Sequence, residues 1–305
     1  MSRSTVLLVL IVAPMIAWQT NAQKNTLELV QDGISNSIKP PIPIGPTSIP
    51  QTLSFYLNRN GAGNGAKYFD PAKKPLTVTL SLDDQAFLNV PQHVTGITFG
   101  AASGKSQQNA IGTRVANTSY ALTDTASNLF TAHPDGPIGN GINLNSNLGV
   151  QIFLSAKPLI TTMAATSDAS RYYYGKLRLT FSRPVNDPVI SLIGLGATTF
   201  FSGKRLGFST ELELVTESIN LVKLSGTPEL VLDQTGRKIL HSNTPVSGVC
   251  GKGAACGSIL LKASQLTTAT FEVYLRPDGR AGSWGTDKVA NAGDMWHITI
   301  SLPEN

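Results

Sequence analysis

The chain has 305 residues, of which 41% are hydrophobic and only 14% are charged, and its formal net charge is +5. No run of lysine or arginine is longer than two residues, so the sequence has no basic cluster of the kind that binds nucleic acid. Its abundant threonine, serine, asparagine and glycine are typical of a turn-rich extracellular β-protein.

The N-terminus has the pattern of a secretory signal peptide over residues 1–22. Arg3 supplies a positive start, residues 6–13 are continuously apolar, and Thr20 and Ala22 occupy the minus-three and minus-one positions of a cleavage site. The alternative is a membrane anchor, which needs about 20 apolar residues, and a proline interrupts this shorter run. We therefore expect the mature chain to be secreted and to insert into no membrane.

A proline-rich segment follows the signal peptide over residues 23–51 and contains the stretch KPPIPIGPTSIP. Proline fixes φ and donates no hydrogen bond, so we expect this lead-in to be extended and stiff. It would serve either as a spacer, which is the simpler interpretation, or as a strip along the edge of a sheet. A single domain is predicted after it, over residues 52–305.

Alternation of apolar and polar residues dominates the rest of the chain and predicts half-buried β-strands. The clearest segments are 76–82, 176–181, 271–276 and 295–302. The positions that test an inward-facing apolar set are Val78, Leu179, Val273 and Ile298. In the last segment, the same alternation assigns His297, Thr299 and Ser301 to a polar outer face.

About a dozen such strands can bury their inner faces only against one another, and two packed sheets achieve this. The predicted fold is therefore all-β: one large antiparallel β-sandwich of the jelly-roll or lectin-like kind. No substantial helix is expected outside the signal peptide, because no stretch of the chain keeps a helical period.

The two cysteines, Cys250 and Cys256, bracket the small-residue stretch GKGAA. In an oxidising compartment we expect them to form one local disulfide. A structural zinc site needs four ligands, which two thiols do not supply. A thioredoxin-type redox pair has two intervening residues, and this pair has five.

A long glycine-rich loop, RPDGRAGSWGTDKVANAGD, separates the last two predicted strands. Trp284 suits stacking against the apolar face of a sugar, and Asp278, Asp287 and Asp294 offer hydrogen-bond acceptors. In the simpler alternative, the tryptophan fills one end of the sandwich and the aspartates cap turns. Calcium binding with help from Asn291 is a third possibility, although the spacing lacks the alternate ligands of an EF-hand loop.

The chain carries no recognisable catalytic motif. Its histidines lack zinc-type spacing, and no G-x-S-x-G elbow occurs. A pair of carboxylates for glycoside hydrolysis could come from Asp83 with Asp84, from Glu211 with Glu213, or from Glu272. Glu211 and Glu213 share one strand face, which is more simply a solvated outer face.

Several segments resemble a known family. YFDPAKKPLTVTLSLD resembles the opening strand of bacterial extracellular β-sandwich domains, and LRLTFSRPVNDPVISLIGLG is similar to a stretch of surface adhesins. With the segments that follow, they resemble the second non-repetitive domain of the CshA-type surface adhesin over residues 52–303. This resemblance implies a lectin-like β-sandwich that binds host or matrix glycoprotein, and it supplies no binding residues.

We therefore expect a secreted, non-catalytic adhesion protein that contacts an extracellular protein or glycan through loops at one end of the sandwich. It should need no cofactor. The alternatives are a carbohydrate-binding or glycan-active enzyme and a structural coat or matrix component. Asn117 begins the sequon NTS and is a glycosylation site only if the chain passes through an endoplasmic reticulum.

Overall fold

The structure is a computed structural model. It describes residues 25–29, 46–58, 69–90, 95–100, 102–103, 107–108, 112–114, 129–136, 138–139, 142, 147–161, 170–201, 204–242, 250–251, 253–278 and 293–304. The predicted signal peptide, the sequon at Asn117 and the loop residues Trp284 and Asp287 lie outside these described residues.

The described chain is almost entirely β-structure, which confirms the predicted all-β class. Its strands are β1 (Thr26–Leu29), β2 (Gln51–Asn58), β3 (Phe69–Pro71), β4 (Thr77–Asp83), β5 (Ile97–Phe99), β6 (Ala102–Ser103), β7 (Gln107–Gln108), β8 (Gly112–Arg114), β9 (Leu148–Ser155), β10 (Tyr172–Val185), β11 (Val189–Leu195), β12 (Ala197–Phe201), β13 (Lys204–Leu214), β14 (Asn220–Gly226), β15 (Leu230–Leu232), β16 (Lys238–His241), β17 (Ala255–Lys262), β18 (Leu266–Pro277) and β19 (Gly293–Pro303). The one described helix, α1 (Lys157–Thr161), has a single short turn. No described helix has the length and apolar character needed to cross a membrane.

Apart from β6 and β7, which pair only with each other, the described strands form two antiparallel sheets that share β2. In the β19 sheet the order is β14–β17–β11–β19, and the other edge of β19 pairs with β9 along its first half and with β1 along its second half. In the β18 sheet the order is β2–β4–β10–β18–β13, and β12 and β16 share the outer edge of β13. Residues 51–54 of β2 pair with β4, and residues 55–58 pair with β1 and β3, so this strand passes from one sheet to the other.

The apolar faces of the two sheets meet in one main hydrophobic core. Val78, Leu179 and Val273 are completely buried and Ile298 is nearly so, which confirms the inward-facing sets predicted from the alternation. Each fully buried aliphatic or aromatic side chain of this core contributes about 1.5–3 kcal/mol of hydrophobic stabilisation.

The polar face of β19 differs from the prediction. His297, Thr299 and Ser301 are at most 2% exposed, although their alternate positions predicted contact with solvent. A segment around residues 129–132 packs over this side of the sheet, where the hydroxyl of Ser301 donates to the carbonyl of Ala132 at 2.7 Å. The strand is therefore buried on both faces, because a connection from elsewhere in the chain covers its outer side.

The same covering segment builds a second, smaller hydrophobic cluster on the outer face of the β19 sheet. Phe130 packs there with Ile193 and with the two cysteines. Cys250 and Cys256 are bonded to each other, which confirms the predicted disulfide. The bridge thus closes its loop over the sheet and belongs to this cluster.

Strand β1 brings part of the predicted lead-in into the domain. It lies between β2 and β19, and its Glu28 is completely buried. The Glu28 carboxylate accepts hydrogen bonds from the Thr26 hydroxyl at 2.7 Å, the Asn58 amide at 2.8 Å and the Asn147 amide at 2.9 Å. The folded unit therefore begins by Thr26 rather than at residue 52, because β1 completes the sheet instead of preceding it.

Candidate functional site

Three neighbouring strands of the β18 sheet carry a row of charged and aromatic side chains on their outer face. The backbone register places Tyr173 of β10 opposite Tyr274 of β18, and Tyr274 opposite Glu211 of β13. One step along, Glu272 lies opposite Glu213. We call the following set the Tyr274 face: Arg171, Tyr173, Glu211, Glu213, Glu272, Tyr274 and Arg276.

A bulge in β10 decides which tyrosine reaches this face. The pairing with β18 shifts between Tyr173 and Gly175, and Gly175 has a φ of 153°. A Cβ atom at Gly175 would lie 3.0 Å from the carbonyl oxygen of Asp83, so the bulge needs glycine. Tyr174 therefore points into the core, where its hydroxyl donates to the Ser155 carbonyl at 2.6 Å, and Tyr173 stays outside.

The two outer tyrosines and one arginine form a compact aromatic group. The ring centroids of Tyr173 and Tyr274 are 5.6 Å apart with an interplanar angle of 68°, which is an edge-to-face contact. The guanidinium carbon of Arg171 lies 3.9 Å from the centroid of the Tyr274 ring, within the range of a cation–π interaction. Both tyrosines are half-buried, so each ring keeps part of its surface open to solvent.

The glutamates hold the cations of this face in place. Glu211 forms ion pairs with Arg276 at 2.7 Å and with Arg171 at 3.8 Å. Glu213 pairs with Arg171 and, at 3.7 Å, with Lys238. Each carboxylate is thus shared between two cations, which fixes the orientation of the guanidinium groups beside the rings.

The protonation of Tyr274 and Arg171 follows from these contacts. Burial and the hydrogen bond that the Tyr274 hydroxyl donates to Glu272 at 2.6 Å raise the pKa of Tyr274 to about 12. Burial works against the charge of Arg171, but the hydrogen bond and the negative charge of Glu213 outweigh it and raise the pKa of the guanidinium. At physiological pH the face therefore presents a neutral phenol and a charged guanidinium.

The structure brings together the three glutamates that the sequence proposed as carboxylate pairs, but protein donors occupy all of them. Glu211 is 5% exposed rather than solvated as predicted, because two arginines cover it. Asp83 and Asp84 lie beside Arg178 and Lys176, at 3.1 Å and 2.7 Å. Each of these five carboxylates therefore has a protein partner among the described residues.

Sequence reasoning did not single out Arg171, Tyr173 or Tyr274. The available signal was an aromatic residue at an outward position of a half-buried strand, as in TFEVYLR. The pairing of residues about 100 positions apart could be read only from the register of the folded sheet.

Asp278 and Asp294, at the two ends of the glycine-rich loop, are both bound to β13. The Asp278 carboxylate accepts from the backbone N–H of Gly207 at 2.8 Å. The Asp294 carboxylate accepts from the N–H groups of Gly196 at 3.0 Å and Thr210 at 2.7 Å. Asp294 is completely buried, so it presents no surface to a ligand, contrary to the role predicted for it, and it serves to hold the base of the loop.

Burial also changes the acidity of Asp294. Loss of solvation raises its pKa to about 6, and the backbone hydrogen bonds from Thr210 and Gly196 only partly offset that effect. Within the described residues, no group of three or more histidine, cysteine, aspartate or glutamate side chains could hold a metal ion. Trp284 and Asp287 lie outside that part of the chain, so their predicted roles stay predictions.

Comparison of the chain with protein-family models, with curated proteins and with solved structures found no match. The resemblance to CshA-type adhesins therefore stays a prediction from sequence, and the function is inferred from the residues of the site.

Proposed function

We propose that the mature chain is a secreted, non-catalytic binding protein that contacts a glycan or glycoprotein through the Tyr274 face. The observation that carries this proposal is the pair of partly open rings, Tyr173 and Tyr274, beside fixed hydrogen-bonding groups. Sugars present apolar C–H faces to aromatic rings and hydroxyl groups to carboxylates and guanidinium groups. Secretion rests on the signal-peptide pattern and agrees with the disulfide.

The charge of the face favours a neutral ligand. The face has three carboxylates and two guanidinium groups. The ammonium group of Lys238 pairs with one of the carboxylates, so the positive and negative charges are equal in number. A nucleic acid or another polyanion would need an excess of positive charge. A neutral saccharide, alone or on a glycoprotein, matches the balanced face better.

The proposed contact surface extends toward the loop that the sequence predicted to bind. Tyr274 and Arg276 lie on the last residues of β18, and the loop begins directly after Asp278. We therefore expect the loop residue Trp284 to take part, as the sequence suggested. Trp284→Ala should then weaken binding without lowering stability, whereas a role in core packing would cost about 3–5 kcal/mol of unfolding free energy.

A glycan array followed by titration calorimetry with the mature chain tests the proposal. Tyr274→Ala should weaken binding of the best array ligand by about 1–3 kcal/mol, the scale for an interface anchor. Tyr56→Ala, which removes a half-buried tyrosine outside the face, serves as the matched control and should bind normally. The proposal fails if the array shows no binding, or if Tyr274→Ala binds as tightly as the wild type.

The same preparation separates the alternative functions. Hydrolysis of fluorogenic glycosides that is lost in Glu272→Gln would indicate a glycan-active enzyme. Concentration-dependent self-association in the absence of any ligand, followed by light scattering, would indicate a structural coat or matrix component.

A further inference from the structure

A second candidate site lies at the opposite end of β10 from Tyr173. A cleft of about 310 Å³ opens there between β1 and β2 of the β19 sheet and the last residues of β10 in the β18 sheet. Ten residues of strand separate Arg183, which lines the cleft, from Tyr173, a distance of roughly 30 Å. The cleft is therefore distinct from the Tyr274 face, and its volume is at the lower end of the range for small-molecule sites.

The floor of the cleft is apolar. Leu27 and Leu57 belong to the edge of the main core, and Ala72 packs against it. The two leucines remain 7% and 6% exposed, because the sheets no longer cover each other completely at this end. An apolar portion of a ligand could extend the core by covering these side chains.

The rim of the cleft carries an excess of positive charge. Lys73, Lys74 and Arg183 line it together with a single acid, Glu304. The carboxylate of Glu304 already accepts a hydrogen bond from the amide of Asn25 at 2.8 Å. Within the described residues, none of the three cations forms an ion pair with a carboxylate.

Arg183 is placed in the cleft by an irregular stretch of β10. The pairing with β18 runs from Thr180 opposite Thr268 directly to Val185 opposite Leu266, so Arg183 lies in a segment without regular partners on β18. Bulges of this kind redirect side chains at the ends of strands. Arg183 also borders an adjoining cavity of about 30 Å³, so its side chain lies across the boundary between the two spaces.

The Nε–H group of Arg183 is buried and has no hydrogen-bond partner within the described residues. Nε itself is too deeply buried to meet a ligand, but Arg183 as a whole is half-buried and lines the cleft, so an oxyanion there would contact the other N–H groups of its guanidinium. The planar guanidinium matches the two oxygens of a carboxylate, sulfate or phosphate, and the two lysines add charge without demanding a fixed geometry.

We propose that this cleft binds a small organic anion with an apolar body on Leu27, Leu57 and Ala72 and an oxyanion head at Arg183. The two lysines attract the head, and the edge of the core takes the body. This site does not depend on the proposed glycan contact, because it uses other residues at the other end of the sandwich.

Titration calorimetry with the mature chain tests the site. The probes are octanoate and octyl sulfate below their micellar concentrations, with octanol as the neutral analogue and acetate and inorganic sulfate as isolated heads. At least one octyl anion should bind about tenfold more tightly than octanol and than its isolated head. Comparison of the two anions shows whether the head is a carboxylate or a sulfate. Failure of both octyl anions to bind at millimolar concentration, or equal binding of octanol, would overturn the proposal.

Arg183→Gln should weaken binding of the preferred anion by about tenfold or more. Arg178→Gln, which removes an arginine from the same strand outside the cleft, is the matched control and should bind like the wild type. If Arg183→Gln does not fold, the exposed double variant Lys73→Gln/Lys74→Gln replaces it and should also lose affinity. If the folded cleft variant binds the preferred anion as tightly as the wild type, the site is refuted. Glycan binding by the same variant tests the Tyr274 face independently, because the substituted residues lie outside that face.

Discussion

The Asp294 carboxylate accepts a hydrogen bond from the backbone N–H of Thr210 at 2.7 Å, and this contact joins β19 of one sheet to β13 of the other. Gly196 donates to the same carboxylate. Because Asp278 binds Gly207 of β13 as well, both ends of the glycine-rich loop are held to one strand. The base of the loop is therefore fixed by two buried or half-buried acids.

Asp294 should make stability depend on pH. Burial raises its folded-state pKa to about 6 from the ordinary value of 3.8, so the folded state binds this proton more tightly than the unfolded state. Its contribution to the free energy of unfolding should therefore fall as pH rises from about 4 to about 6, by about 3 kcal/mol in total. Asp294→Asn has no such proton. Denaturant titrations between pH 4 and pH 7 measure the free energy of unfolding of both proteins. The value for the wild type minus the value for the variant should decrease as pH rises, and a difference that does not change with pH would contradict the prediction.

His297 should have the opposite effect. Burial lowers its folded-state pKa to about 3 from 6.5, so only the unfolded state takes up a proton between these values. His297 should therefore contribute a loss of about 1.4 kcal/mol of unfolding free energy for each pH unit between about 6.5 and 3, and this contribution should be absent in His297→Phe. The two slopes cancel between about pH 4 and pH 6. The Asp294→Asn variant should therefore show the pH dependence of unfolding free energy that His297 causes, and His297→Phe should show the dependence that Asp294 causes. If either variant has the same pH profile as the wild type, the pKa assigned to the substituted residue is wrong.

The disulfide should contribute modestly to stability. Cys250 and Cys256 close a short loop, so their bond lowers the conformational entropy of the unfolded chain only a little. This effect should raise the free energy of unfolding by about 2 kcal/mol. The double variant Cys250→Ala/Cys256→Ala should lower the free energy of unfolding by at least that amount, because the two sulfur atoms also pack in the buried cluster. Reduction of the wild type provides the control. Mass spectrometry that finds two free thiols in the unreduced protein would show that the bond does not form.

Glu28 should be essential for the attachment of β1. Its removal in Glu28→Ala leaves the buried amides of Asn58 and Asn147 without their acceptor, at a cost of about 3 kcal/mol or more. Glu217→Ala, at an exposed glutamate, is the control and should change stability by less than about 0.5 kcal/mol. Equal stability of the two variants would mean that β1 does not belong to the cooperative fold.

The candidate sites were less predictable than the strands. The sequence pointed to Asp278 and Asp294 as surface acceptors, since both border a glycine-rich loop. Asp294 is completely buried and accepts backbone N–H groups, whereas Asp278 is half-buried and its binding role stays a prediction. Tyr173 and Tyr274 were visible only as outward positions in separate strands. They become a site because β10 and β18 pair in one register, and no local pattern specifies the register between strands about 100 residues apart.

The sequence alone determined which residues alternate and which two cysteines bond, because both depend on near neighbours in the chain. Val78 and Ile298 are buried for this reason, since a strand turns every second side chain to one face. Only the tertiary structure decided what covers the other face. Ser301 and Glu213 occupy equivalent polar positions, yet Ser301 is buried under the 129–132 segment and Glu213 is half-exposed among cations. The difference arises because burial of an outer face depends on segments distant in the chain, which the period of one strand does not encode.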